Sequence, residues 1–285
     1  MMRSAFCSFP ACDAAGKTMS NVRQFVVLFA LAQLGAVRLA VAQTDEIQVY
    51  DASHADPGVF NLTWHNNFTP SGVRVPAFPG AVVADKSLNG VTEWAYGVTP
   101  WFEQGVYLPL YTVDKNLGAT FDGFKLRELF TVPHADDRTF VYGVNFEFSL
   151  NARHWESTRF TSEVRPIVGW HMRSWDIIVN PIFDTAYDGV KNVHFAPETR
   201  LAYRLSNIWT VAAEEYADFG TLHRFNSIGD QVHQIYGVVD HDTKALNIEF
   251  GMGFGLTNAS DKVTLKLLVA FDLNKKKEQK PSVGR

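Results

Sequence analysis

About a dozen stretches of this chain alternate between apolar and polar residues, and the polar face repeatedly carries glycine and ionised side chains together. From Leu246 to Gly255 one face reads Leu246, Ile248, Phe250, Met252 and Phe254, while the other reads Asn247, Glu249, Gly251, Gly253 and Gly255. From Val263 to Leu273 the odd positions are all apolar, and the even ones include Thr264, Lys266 and Asp272. A period of two marks β-strands with two unlike faces. Such strands suit a soluble sandwich, or a barrel with lipid outside and polar groups within. Glycine mixed with charge fills a soluble apolar core badly and suits a narrow lumen.

The N-terminus points the same way. Phe25 to Val37 is an apolar run of thirteen residues, preceded by Arg23 and followed by Ala40-Val41-Ala42. This is the layout of a cleavable secretory signal, and it is shorter than the roughly 20 residues a membrane-spanning helix needs. Cleavage is expected after Ala42, with residues 1 to 18 an N-terminal extension of that signal. Both cysteines, Cys7 and Cys12, fall in the removed stretch, so no disulfide framework is available to the exported chain. Removing Arg3, Lys17, Arg23, Arg38 and Asp13 moves the formal charge from −4 to −7. An acidic exported protein is a poor partner for nucleic acid. The basic tail, with Lys275, Lys276 and Lys277, reads as a solvated end.

After Ala42 there is no apolar run long enough for a spanning helix, so any membrane insertion must be by strands. Alternation and turn residues predict twelve of them: 58 to 68, 91 to 99, 101 to 112, 119 to 132, 138 to 149, 158 to 172, 174 to 184, 193 to 205, 207 to 218, 231 to 240, 244 to 255 and 262 to 273. Residues 43 to 57 form a periplasmic lead-in, and residues 274 to 285 a periplasmic tail. The connections sort by length, alternately long and short, except for the short Leu256 to Asp261. That sorting belongs to outer-membrane barrels, which pair short periplasmic turns with longer external loops. The expected fold is therefore an all-β, antiparallel, up-and-down transmembrane barrel, closed by pairing residues 262 to 273 with 58 to 68.

The faces fit this reading. Trp94, Tyr96, Val98, Val106, Leu108, Leu110, Tyr142, Val144, Phe146 and Phe148 are placed toward lipid, and Leu265, Leu267, Val269 and Phe271 with them. Trp101, Trp170, Trp175 and Trp209 fall near the short turns, where an interfacial aromatic girdle belongs. Glu128 and Glu215 would face lipid on strict alternation, so a bulge or an interfacial depth is expected at each.

The hairpin from Glu93 to Leu110 (EWAYGVTPWFEQGVYLPL) resembles one found in the exported proteins of the MetA-pathway of phenol degradation family, and Arg204 to Trp209 with Glu214 to Gly220 is similar to another. The resemblance implies an outer-membrane barrel associated with passage of aromatic or other hydrophobic compounds. It implies no enzyme.

Catalytic readings find little support. His134-Ala135-Asp136-Asp137 lies in a short turn, at the wrong mouth for external substrates. Ser149 and His154 share one hairpin top, with Glu156 as the nearest candidate orienter. The nine histidines lack ligand spacing, so neither a metal nor a cofactor is expected. The residues placed in the lumen, and so in contact with a permeant, are Glu93, Lys125, Arg127, Glu147, Glu163, Arg165, Asp176, Asn180, Glu198, Arg200, Glu214, Glu249 and Lys266. Ionised groups in a barrel interior must be paired or hydrated, and here both signs occur on neighbouring strands. Pro166, Pro181 and Pro197 fall on three consecutive strands at similar height, where missing N–H donors should either kink the wall, with a lateral exit there, or be absorbed as three local bulges. The expected function is a passive narrow channel or binding barrel for small, aromatic or hydrophobic molecules, with outer-membrane lipid as its other partner. The alternative is a structural or adhesive barrel whose bore is plugged by residues 43 to 57 or by the loop from Thr69 to Gly90. Oligomeric state is not legible.

Overall fold

The computed structural model describes residues 45–274. The signal segment, its cleavage point and the Lys275–Lys277 tail lie outside the described residues. Apart from single 3-10 turns at Ala135–Asp137 and Val190–Asn192, the described regular structure is strand.

The strands are β1 (Phe60–Ser71), β2 (Ser87–Thr99), β3 (Phe102–Asp114), β4 (Gly118–Thr131), β5 (Phe140–Asn151), β6 (Phe160–His171), β7 (Trp175–Asn180) and β8 (Phe183–Thr185). They continue with β9 (His194–Phe195), β10 (Glu198–Arg204), β11 (Trp209–Asp218), β12 (Gly220–Thr221), β13 (Arg224–Phe225), β14 (Val232–Asp242), β15 (Asn247–Gly255) and β16 (Val263–Asp272). These segments build twelve staves, because β7 with β8, β9 with β10, and β11 with β12 are each one stave interrupted, and β13 folds back on β12. All ladders are antiparallel, and β16 pairs with β1 from Asn61↔Asp272 to Ser71↔Val263. The circuit is completed through β6–β7 and β7–β10. A closed barrel leaves no sheet edge, which is what strands need where lipid supplies no hydrogen bonds.

Alternation directs the side chains. On β16 Thr264, Lys266 and Leu268 are buried within, while Trp94, Tyr142, Phe148, Phe250, Met252 and Phe254 stand exposed on the outer wall. An apolar exterior around a charged interior is a membrane barrel's arrangement, since a soluble protein does not expose so large an apolar belt. At the short-turn rim the belt ends in paired rings: Trp101 and Phe102 stack on Phe130, while Phe140 meets Trp170 and Trp175 meets Tyr203 at a tilt.

One lipid-facing assignment and one strand boundary are corrected. Leu110 is fully buried inside, because the ladders on both sides of β3 skip over Leu108 and Pro109, so Tyr107 and Leu110 both point inward. Leu246 belongs to a turn closed by hydrogen bonds with Thr243, and β15 begins one residue later. The acidic residues on the outer parity sit near strand ends in unbroken ladder. Glu128 accepts from Gln104 Nε2 at 2.9 Å, three residues from the end of β4. Glu215 meets His233, next to the first residue of β14.

The wall is least regular beside the three prolines. β5 and β6 pair without interruption through Val144↔Pro166. On the other flank of β6 no ladder covers Arg165 to Ile167, because the facing stave is broken at Pro181-Ile182 and the next at Ala196-Pro197. Proline's missing donor accounts for both breaks. Rings of Phe183, Phe195, Phe219 and Phe225 cluster at this height.

Candidate functional site

The bore is occupied by the chain's own N-terminal segment. Residues 45 to 52 have a nearly continuous run of buried side chains, with Ile47, Val49, Tyr50 and Ala52 packed against Leu129, Val141, Ile167, Ile178, Tyr216 and Tyr236. Their polar contacts span the arc of wall from β16 through β1 to β7. Asn67 Nδ2 on β1 donates to the Asp45 carbonyl, and Lys125 on β4 pairs with the Asp45 carboxylate at 2.8 Å. Lys266 Nζ on β16 donates to the Ile47 carbonyl at 3.3 Å, and Arg165 Nη1 on β6 to that of Gln48 at 2.9 Å. Asn180 on β7 clasps Tyr50, accepting from its N–H at 2.7 Å and donating to its carbonyl at 2.9 Å. The Tyr50 hydroxyl meets that of Tyr107 on β3, and the Arg165 guanidinium lies over its ring at 4.5 Å. A peptide held from β1, β3, β4, β6, β7 and β16 runs along the barrel axis.

The chain then leaves at the short-turn rim. Ser53 Oγ donates to Asp136, His54 lies on the Pro100 carbonyl, and the Ala55 N–H donates to Glu103. It turns back into β1 against Gly97, where an added Cβ would stand 2.3 Å from the Ala55 carbonyl oxygen. No side chain fits there. The wall at this point is shaped for the returning segment.

Around the segment, wall charges form chains. Lys125 also reaches Glu147 at 3.3 Å, and Arg127 joins Glu93 at 2.7 Å to Glu103. Arg165 joins Glu163 at 2.6 Å to Glu198 at 3.3 Å. Arg200 meets Glu214, Asp240 and Glu249, and Lys266 meets Glu214 and Glu249. Burying an ion pair is close to break-even, whereas removing one partner costs about 3–5 kcal/mol, so such chains fix arrangement more than they add stability. Asp176 stands apart near the short-turn rim with His171 and Arg204. Pro166 lies opposite Val144, while Pro181 and Pro197 occupy the stave breaks. On the plug, burial raises the Glu46 carboxyl from its ordinary value, with Glu147 adding to the rise and Arg165 and His65 opposing it. Neither oxygen of Glu46 has a hydrogen-bond partner.

Several inward residues were not among the expected lumen set: His65, Glu103, Tyr107, Tyr216, Tyr236 and Asp240. Glu103 and Tyr107 were accessible to parity, since they alternate with Gly105 in one strand. The catalytic candidates resolve differently. The acid beside His154 is Asp122, at 2.8 Å, and not Glu156, which accepts from Ser157. His134 to Asp137 form a short-turn 3-10 element whose Asp136 receives Ser53. Among the described residues no group of three or more His, Cys, Asp or Glu side chains is arranged to hold a metal.

No family model and no curated protein matches the chain. Among solved structures it is similar to the NanC porin, at 8% identity and a TM-score of 0.48 over 74% of this chain and 98% of that one. It is also similar to the KdgM porin, at 8% identity and a TM-score of 0.47 over 74% and 98% of the two chains. A third similarity is to the CymD monoaromatic hydrocarbon channel, at 7% identity and a TM-score of 0.43 over 76% and 88%.

Proposed function

We propose that the protein is an outer-membrane barrel of a Gram-negative-type cell that admits small molecules through a narrow bore, which its own N-terminal segment closes at rest. The observation that carries this is how the segment is held. Residues 45 to 52 enter none of the sheet's ladders, and wall side chains make the described hydrogen bonds and the ion pair that hold them. The segment can leave without breaking a strand pairing. Permeants of aromatic or hydrophobic character are what the family resemblance implies, and no catalytic step is assigned.

A lateral exit is a second reading, favoured by the adjacent stave breaks at Pro181-Ile182 and Ala196-Pro197. The exported chain being free of cysteine, a disulfide between Ile182→Cys and Ala196→Cys would lock the break, where the Ala196 N–H donates to the Ile182 carbonyl. Locking should abolish uptake of apolar solutes if they leave sideways, and leave it unchanged if they pass along the bore.

The channel itself is tested by reconstitution into planar bilayers. The intact protein should open rarely, and variants with a weakened segment, such as Tyr50→Gly, should open often. Silence from both, together with normal solute uptake in cells lacking the protein, would establish the structural or adhesive barrel instead.

A further inference from the structure

We infer that the bore, once the N-terminal segment withdraws, selects cations, so that small organic cations such as amines pass in preference to carboxylates of the same size. This rests on the channel reading above and deepens it.

The wall's charge does not balance. Each of its five buried cations described above is engaged by carboxylates, and eight wall carboxylates serve those five. With His65 also on Glu93 at 3.2 Å, the wall's acidic side chains outnumber its lysines and arginines by three. The docked segment does not correct it. Asp45 supplies Lys125 with a second carboxylate, and Glu46 brings a buried carboxyl with no hydrogen-bond partner. The segment carries neither lysine nor arginine.

Toward the long-loop mouth Asp85 pairs with Arg74 at 3.3 Å, and two further acids are met by histidine. Buried Asp122 meets His154 at 2.8 Å, and Asp218 meets His194 at 3.7 Å. An entering anion would find the buried cations already committed to carboxylates. An entering cation finds surplus carboxylate along the path, and tyrosine rings placed to receive positive charge. Tyr107, Tyr216 and Tyr236 already hold lysine ammonium groups over their rings at 5.4 to 5.8 Å. Low-dielectric walls focus such an excess, which raises the local concentration of the opposite ion.

The test uses the full chain carrying Tyr50→Gly, reconstituted in planar bilayers, with reversal potentials read in a potassium chloride gradient. Heat-dependent gel migration verifies that the barrel has formed. Potassium should be at least about threefold more permeant than chloride at low salt. The preference should fall toward unity near 1 M, where the screening length shrinks to about 3 Å. In vesicles the same protein should pass propylammonium faster than acetate, which has the same number of heavy atoms. Glu163→Gln with Glu198→Gln should lower the preference, and Glu128→Gln on the outer wall should leave it unchanged. Current with equal or greater chloride permeability overturns the cation inference and leaves the channel standing. No current from any variant overturns both.

Discussion

Replacing Asn180 by alanine should release the N-terminal segment while leaving the barrel closed. The Asn180 amide is fully buried and makes two hydrogen bonds to one residue, accepting from the Tyr50 N–H and donating to the Tyr50 carbonyl. Truncation leaves both backbone groups without these partners inside the bore. Each orphaned group costs about 1–3 kcal/mol, so undocking should become easier by about 2–6 kcal/mol. At 1.4 kcal/mol per tenfold, that is a rise of at least about 30-fold in the undocked fraction, and up to roughly 20,000-fold. A single cysteine at Val49, buried in the docked segment, reports that fraction through its rate of maleimide labelling. Labelling should accelerate by the same factor in Asn180→Ala. Asn180→Asp, whose buried carboxylate would face the Tyr50 carbonyl oxygen, should label at least as fast as Asn180→Ala. Equal rates in parent and Asn180→Ala, with heat-dependent gel migration intact in both, would refute the claim that this clasp holds the segment.

Gly97→Val should also speed labelling at Val49→Cys, because its side chain would occupy the path of Ala55 and Asp56, with the barrel itself still forming. Docking should tighten in acid. The Glu46 carboxyl is held higher when docked than when free, so docking is fully favoured below the free carboxyl's range and weakens as pH rises toward the docked value. Labelling, taken relative to a free thiol at each pH, should therefore quicken as pH rises, and Glu46→Gln should flatten that ratio. Lys266→Met should lower the urea midpoint for barrel unfolding, corresponding to about 3–5 kcal/mol, because buried Glu214 loses its ammonium partner and Glu249 with it. An unchanged midpoint would mean that the pair is hydrated.

The wall was legible in the sequence because lipid outside and charge inside impose a two-residue period on each stave. Val263 to Asp272 shows this plainly, and its pairing with β1 follows from the need to remove edges. Leu110 was misplaced because parity assumes an unbroken ladder, and the skip at Leu108-Pro109 shifts the phase by one residue. The occupant of the bore was less legible. Glu46, Ile47, Gln48 and Val49 alternate as a strand would, but alternation separates two faces only where one meets a different medium. In the lumen both faces are enclosed, and Glu46 and Ile47 are buried alike. Segment 43 to 57 could be named as a candidate plug from its place before β1, whereas the Asn180 clasp is set by spatial convergence that spacing does not encode. The acid beside His154 was missed for the same reason, since Asp122 lies on another strand.

The outward polar pair Glu215 and His233 carries a consequence for the bilayer. On β11 it lies six residues from Trp209, about 20 Å along the strand at about 3.3 Å per residue. A strand tilted by about 40° converts that length into roughly 15 Å of height, inside the ~25 Å apolar band usual for such barrels. The apolar wall resumes beyond the pair, because Glu215 lies opposite Thr199 and the Phe195 ring, beside Phe183 and Phe225, stands four residues further along. Glu215 and His233 are thus a polar island within the apolar belt, next to the interrupted staves, where each supplies the partner that lipid cannot.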